Sequence, residues 1–119
     1  MSIDLVLKEL VSSVDAATGA ILLEADGEAV QWYSSESERL RLRAAYIAVV
    51  LKSYRAAAAR ARLNSLSSLI LTYDSASFVA QEIDHDCLLL VELQSGANVR
   101  HALFCLTPAI EKLRKEIWG

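Results

Sequence analysis

The sequence predicts a single α+β domain over residues 1–119, built on an antiparallel sheet with helices able to cover both faces. Three observations predict this class. Apolar residues recur at helical spacing in three segments, short apolar or alternating runs between them are typical of strands, and turn residues separate those runs. The predicted order is α-β-β-α-β-β-β-α. The length of 119 residues fits one domain, and 54% apolar residues suffice for a core.

The first part of the chain is predicted to be a helix followed by a hairpin. Residues 3–15 carry one apolar stripe at helical spacing, and Ser2 before them is a plausible N-cap. Residues 20–23 are continuously apolar, as in a strand covered on both faces. Asp-Gly at 26–27 favours a hairpin turn. The alternation over 30–33 then indicates a strand nearer the sheet edge.

The second helix is predicted to be unusually long for a domain of this size. Ser35 and Glu38 match a capping box, in which both side chains satisfy free backbone N–H groups. No glycine or proline interrupts the sequence from there to about Arg62.

Two opposite sides of this helix are apolar. One stripe comprises Leu40, Ala44, Ile47, Leu51, Tyr54 and Ala58. A second stripe on the far side comprises Leu42, Tyr46, Val49, Val50 and Ala57. Only a narrow strip with Arg41, Lys52 and Arg55 is clearly polar. A helix on one sheet needs one apolar face, so the second stripe predicts another burying surface, most simply a second copy of the chain.

The rest of the chain is predicted to form three strands and a final helix. The strands are 69–73, 78–83 and 87–93, and the last is the most apolar and is placed centrally. Asn98 is a good N-cap for the final helix. Pro108 lacks a backbone donor and crowds the preceding turn, so a kink is expected there.

Composition excludes several classes of protein. The net charge of −3 and pI of about 5.3 lack the basic excess of a nucleic-acid binder. Apolar runs such as 87–91 are far too short to span a bilayer, and no secretory signal is visible. A cytoplasmic location is therefore expected. Cys87 and Cys105 are expected to be buried thiols without a disulfide.

The element order and two loop sequences together resemble the roadblock / dynein light-chain family. These are Asp-Gly-Glu-Ala-Val at 26–30 and Gly-Ala-Asn-Val at 96–99; residues 10–15 and 18–20 also look like the family. The resemblance implies a five-stranded antiparallel sheet with the long helix on one face and the terminal helices on the other. Pro108 departs from the usual uninterrupted final helix.

The same resemblance implies a role. Family members typically dimerise through the long helix and the adjacent third strand, and they regulate or scaffold Ras-like small GTPases, in some cases by stimulating GTP hydrolysis. It therefore implies a non-enzymatic, cofactor-free signalling protein with a GTPase partner. The expected dimer interface comprises Leu42, Tyr46, Val49, Val50, Ala57, Leu69 and Leu71.

Motifs for catalysis or metal binding are weak. None of the four glycines lies in a phosphate-binding loop or dinucleotide fingerprint. Asp84-His85-Asp86 is better interpreted as a solvated turn than as a metal site, since no further ligands are evident. His101 lies one helical turn from Cys105, but no third catalytic member can be identified. No catalytic residue, metal site or cofactor is predicted.

Charge is distributed unevenly along the chain. Residues 35–62 hold seven cations and two anions, giving +5, while the remainder holds five cations and thirteen anions, giving −8. The basic helix is either an ordinary solvated face or an electropositive ridge that steers an acidic partner. On the second interpretation, Arg41, Lys52 and Arg55 are the candidate partner contacts.

Other functions remain open at this point. A small-molecule sensor of α/β/α type would need a cavity with convergent polar groups, which the apolar strands do not suggest. A dynein-light-chain-like structural adaptor would use the same fold. A membrane-surface role for the basic helix competes with dimerisation for the same apolar faces, and direct membrane insertion is not expected.

Overall fold

The computed structural model describes residues 2–64, 66–84 and 87–118. It has the predicted α+β class and element order. The elements are α1 (Ile3–Ser13), β1 (Ala17–Glu24), β2 (Ala29–Ser34), α2 (Ser37–Arg60), β3 (Ser68–Thr72), β4 (Ala76–Asp84), β5 (Cys87–Gln94) and α3 (Val99–Trp118).

The five strands form one antiparallel sheet in the order β2-β1-β5-β4-β3. The most apolar strand, β5, lies in the centre, as the sequence predicts. The β1–β2 turn contains Gly27 at φ +91°, a left-handed conformation that favours glycine. The edge strands are β2 and β3, and the predicted edge position of β2 is confirmed.

The sheet separates two apolar cores. On one face, α1 and α3 pack on β-strand residues such as Leu89 and Val91. On the other face, α2 packs on residues such as Ile21 and Leu90. Because successive strand residues point to opposite faces, the unbroken apolar run of β5 supplies both cores. The resemblance is correct in this arrangement of helices.

Helix caps agree with the sequence at two of three positions. Ser2 Oγ accepts a hydrogen bond from the Leu5 N–H at 3.3 Å, and Asn98 Oδ1 accepts one from the His101 N–H at 3.1 Å. The predicted capping box at Ser35 is wrong. β2 runs through Ser34, whose own hydroxyl accepts from the Glu36 N–H at 3.0 Å, and the N-cap of α2 is Glu36, one residue later than the motif places it.

The two apolar stripes of α2 differ sharply in burial. The first, the inner stripe, is buried against the sheet except at Tyr54. The spacing places Tyr54 in this stripe, but its side chain is 48% exposed. The second, hereafter the outer stripe (Leu42, Tyr46, Val49, Val50 and Ala57), is exposed to solvent along its whole length.

The remaining expectations concern the C-terminal half. α3 continues through Pro108, and a kink at that residue stays a prediction. Cys87 and Cys105 form no disulfide with each other, but both are half-buried, so the expectation of full burial is wrong. The predicted turn at Asp84-His85-Asp86 lies mostly outside the described residues.

Candidate functional site

The outer stripe is the largest apolar feature on the surface of α2. Leu42, Tyr46, Val49 and Val50 are 59%, 67%, 65% and 61% exposed. A helix that rests on a sheet normally presents a polar side to solvent. This helix instead presents branched aliphatic and aromatic side chains to solvent, so its outer stripe is a candidate docking surface.

Strand β3 lies at the sheet edge and adds to this surface. Leu69 and Leu71 are half-buried and pack against the same core as α2, which places both side chains on the α2 side of the sheet. Ile70 between them is 40% exposed on the other side. The family resemblance implies that Leu69 and Leu71 join α2 in an interface, and this stays a prediction.

The three candidate partner-binding cations are not equivalent. Arg41 is exposed and its guanidinium lies 4.3 Å from the ring centre of Trp32 on β2, a cation–π contact. Lys52 is exposed, about three helical turns further along the same side of α2. Arg55 instead faces the sheet, where its Nη2 lies 2.6 Å from Oε1 of Glu82. Arg55 is therefore already engaged within the chain.

A second charged cluster, missed by the sequence reasoning, lies beneath the N-terminal half of α2. Glu92 on the central strand is 1% exposed. Its carboxylate accepts hydrogen bonds from Thr18 Oγ1 at 2.8 Å, Arg43 Nη1 at 2.8 Å and Arg39 Nη2 at 3.2 Å.

The electrostatics of this cluster favour the ionised carboxylate. Burial alone would raise the pKa of Glu92, but the hydrogen bonds from Thr18 and Arg43 outweigh it. The charge of Arg39 adds to them, and the pKa of Glu92 is lowered from its ordinary value of 4.5. Glu92 is thus a permanent buried anion at neutral pH.

Of the recesses beside α2 in the described part of the chain, the two larger ones lie towards its two ends. One, of about 400 Å³, lies at the C-terminal end of the helix and is lined by Tyr54, Arg55, Ala58, Leu63, Asn64, Leu66, Ser67 and Glu82. The other, of about 470 Å³, opens above the Glu92 cluster and also exposes the hydroxyls of Thr18, Ser35, Ser75 and Ser95. Both are open to solvent beside the helix.

Two further groups of potentially reactive side chains lie outside α2. Glu24, Asp26 and Glu28 bring one carboxylate oxygen each within 4.8 Å of the others, but all three are exposed at a hairpin turn. Cys105 Sγ lies 3.7 Å from His101 Nε2 at the surface of α3. None of the helices described here is both long and apolar enough to cross a membrane.

The fold assembled by these elements is that of Roadblock/LC7 domains. No protein-family model matches the sequence, and no curated protein matches it either. The crystal structure of a Roadblock/LC7 domain from Streptomyces avermitilis is similar with a TM-score of 0.87 at 18% identity, over 100% of both chains. The predicted likeness is confirmed at the level of fold.

Two further structures with this fold carry more specific names. MglC from Myxococcus xanthus is similar with a TM-score of 0.69 at 24% identity, over 98% of this chain and 99% of that one. The gliding protein MglB from Thermus thermophilus is similar with a TM-score of 0.81 at 16% identity, over 96% and 87%. At these identities the similarity establishes the architecture.

Proposed function

We propose that this chain is a non-enzymatic regulator or scaffold of a Ras-like small GTPase that acts as a cofactor-free homodimer. The observation that carries the proposal is the outer stripe, where four large apolar side chains are each more than half exposed. Contiguous exposed apolar surface of this kind marks a protein–protein interface. The fold shared with the gliding proteins MglB and MglC, and the family resemblance in the sequence, support the GTPase as the partner.

The outer stripe is complementary to itself when two copies pack antiparallel. Leu42 and Tyr46, which are large, precede Val49, whereas the small residues Ser53 and Ala57 follow it at similar spacing. A two-fold axis near Val49 therefore sets the large side chains of one subunit against the small ones of the other. Interdigitation of large and small residues is what close packing requires.

The charges at the ends of the stripe favour the same orientation. Glu38 and Arg60 are exposed and lie on the same side of α2, each about three turns from Val49. Antiparallel packing brings Glu38 of one subunit towards the other subunit's Arg60. Parallel packing would bring like charges together, which is unfavourable.

Strand β3 would extend this interface. As an edge strand, it has backbone groups on its outer side that no other strand in the sheet pairs. Pairing of β3 with β3 of the second copy would join the two sheets. Leu69 and Leu71 would then lie below the paired helices, as a continuous apolar floor.

The GTPase would contact the side of α2 that the second copy leaves open. Arg41 contacts Trp32 on β2, the edge strand opposite β3, and Lys52 follows about three turns later on the same side of α2. Arg41 stacked on Trp32 combines two residue types that dominate interface energetics. Exposed cations here would steer an acidic surface of the GTPase. Arg55, neutralised by Glu82, would contribute at the border of this region.

Dimerisation is tested by replacing one residue at the centre of the outer stripe. Val49→Arg should place two cations against each other at the two-fold axis and convert the dimer to monomer, as measured by multi-angle light scattering. Phe104→Arg is the matched control, because Phe104 is 77% exposed on α3, on the other side of the sheet. A wild-type chain that is monomeric at high micromolar concentration would remove the homodimer from the proposal.

The GTPase role is tested with the dimer kept intact. Affinity capture from source cells should retain a Ras-like GTPase with the wild-type chain and lose it with Arg41→Glu/Lys52→Glu. A hydrolysis assay with the captured GTPase then measures whether the chain changes the rate of GTP turnover. Capture that is unaffected by the double charge reversal would overturn the assignment of this side of α2.

A second candidate function is a small-molecule sensor, and the recess of about 400 Å³ beside Arg55 favours it. Its volume falls in the range of ligand sites, roughly 300–1,000 Å³. Arg55 Nε is also shielded from solvent and lacks a hydrogen-bond partner within the described structure. Native mass spectrometry of the purified chain would distinguish this role by detecting a retained small molecule.

A further inference from the structure

Glu92 connects three separate parts of the fold through one carboxylate. It lies on β5, accepts from Thr18 at the start of β1, and accepts from Arg39 and Arg43 on successive turns of α2. Arg39 also reaches Glu36, one turn back, at 3.3 Å. The cluster therefore joins the N-terminal half of α2 to the two central strands.

Small side chains make up much of the apolar face that α2 packs on the sheet. The helix backbone approaches β1 and β2 most closely, and its apolar core also includes residues of β3, β4 and β5. Half of the residues that it buries are alanines: Ala44, Ala48 and Ala58. Small side chains form shallow ridges, which resist lateral displacement of a helix less than large side chains do.

The ion pairs of α2 tolerate lateral displacement of the helix less well than its apolar contacts do. Arg39 and Arg43 reach from the helix across to β5, and Arg55 reaches Glu82 on β4 at 2.6 Å near the other end of the helix. Charge-assisted hydrogen bonds of 2.6–3.2 Å are directional. A displaced helix would leave the buried Glu92 carboxylate without its partners, which is far more costly than a change in apolar contact.

Buried ion pairs often add little net stability, because desolvation offsets the attraction between the charges. What such a cluster does add is preference for one geometry over others. The recess above it supports this interpretation, since its two arginines face two carboxylates, Glu36 and Glu92. That lining is balanced in charge and gives no net attraction for an anionic ligand.

We propose that Glu92 is a positioning residue that fixes α2 laterally on the sheet, and thereby sets the outer stripe and β3 at the spacing that a second copy requires. This inference rests on the proposed homodimer. Glu92 lies under the helix and touches no part of the interface itself. Its effect on self-association is exerted entirely through Arg39 and Arg43.

Two variants test the positioning role while leaving α2 unchanged in sequence. Glu92→Gln removes the charge but keeps the shape, and Thr18→Val removes one donor to the carboxylate from outside the helix. Glu9→Gln is the matched control, because Glu9 pairs with Lys112 at 3.5 Å between α1 and α3. The dimer dissociation constant should rise at least about tenfold in Glu92→Gln and roughly threefold in Thr18→Val, and stay unchanged in Glu9→Gln.

Hydrogen exchange separates this proposal from the dimer on which it rests. Measured at concentrations where every variant is monomeric, Glu92→Gln should accelerate exchange in residues 37–47 of α2 and leave α3 unaffected. If the wild-type chain is monomeric but Glu92→Gln still accelerates exchange in α2, only the proposed dimer is refuted. If both variants leave hydrogen exchange in α2 and the dimer dissociation constant unchanged, the positioning role is wrong. If Glu92→Gln does not fold, the same two measurements on Thr18→Val decide the question.

Discussion

Gly19 on β1 lies so close to Leu40 on α2 that a Cβ atom on the glycine would stand 2.9 Å from Leu40 Cδ2. The same Cβ would stand 2.8 Å from the Cβ of Ser34 on β2. The beginning of α2 therefore rests directly on the β1–β2 hairpin, and the close approach depends on the missing side chain.

Gly19→Ala should consequently destabilise the fold by about 1–3 kcal/mol, the usual cost of overpacking a core. Urea denaturation measures this as a lower transition midpoint. Gly96→Asn is the comparison: nothing lies within 4 Å of its Cβ position, and at φ +81° asparagine is strained less than other side chains, so the loss should be smaller than in Gly19→Ala. Equal stability of these two variants would show that α2 can move away from β1 at little cost.

The fold was predictable from the sequence because its signals are local and periodic. The inner and outer stripes of α2 are visible as spacing, and residues 87–93 are placed centrally by their unbroken apolar run. The capping box was misplaced because Ser34, Ser35 and Ser37 all compete for the same role. The choice among them is made by how far β2 pairs with β1, which is tertiary information.

The Glu92 cluster was not predictable in the same way. Its partners Arg43, Arg39 and Thr18 lie 49, 53 and 74 residues away along the chain, so no local pattern connects them. One signal was present: a lone carboxylate inside the most apolar strand needs a buried partner. Arg39 and Arg43, one turn apart on the adjacent basic helix, could have been nominated on that ground.

The lowered pKa of Glu92 predicts a pH dependence of stability. A carboxyl with a lowered pKa binds its proton less readily in the folded than in the unfolded chain. Its stabilisation is therefore complete above the ordinary value of 4.5 and is lost as pH falls through the lower, folded value. Urea midpoints measured from pH 7 down to pH 3 should fall more steeply for wild type than for Glu92→Gln. If the urea midpoints of wild type and Glu92→Gln fall equally with pH, Glu92 is not a buried anion in the folded chain.

Charge reversal should distinguish Lys52 from Arg55. Lys52→Glu alters an exposed side chain and should change stability by no more than about 0.5 kcal/mol. Arg55→Glu places a second carboxylate beside Glu82 in a half-buried position and should cost about 1–3 kcal/mol. The double variant Arg55→Glu/Glu82→Arg should recover part of that loss in urea denaturation. Because Arg55→Glu destabilises the fold, any loss of partner binding in this variant must be compared with its loss of stability.

The antiparallel arrangement of the proposed dimer makes a prediction about Glu38 and Arg60. Each single reversal, Glu38→Arg or Arg60→Glu, sets like charges against each other at both ends of the interface. Either one should weaken the dimer roughly threefold to tenfold at low salt, and less at high salt, because both residues are exposed. The double variant restores opposite charges across the two-fold axis and should recover wild-type affinity in sedimentation equilibrium. If the two single effects instead add in the double variant, Glu38 and Arg60 do not face each other, and the two helices do not pack antiparallel about Val49.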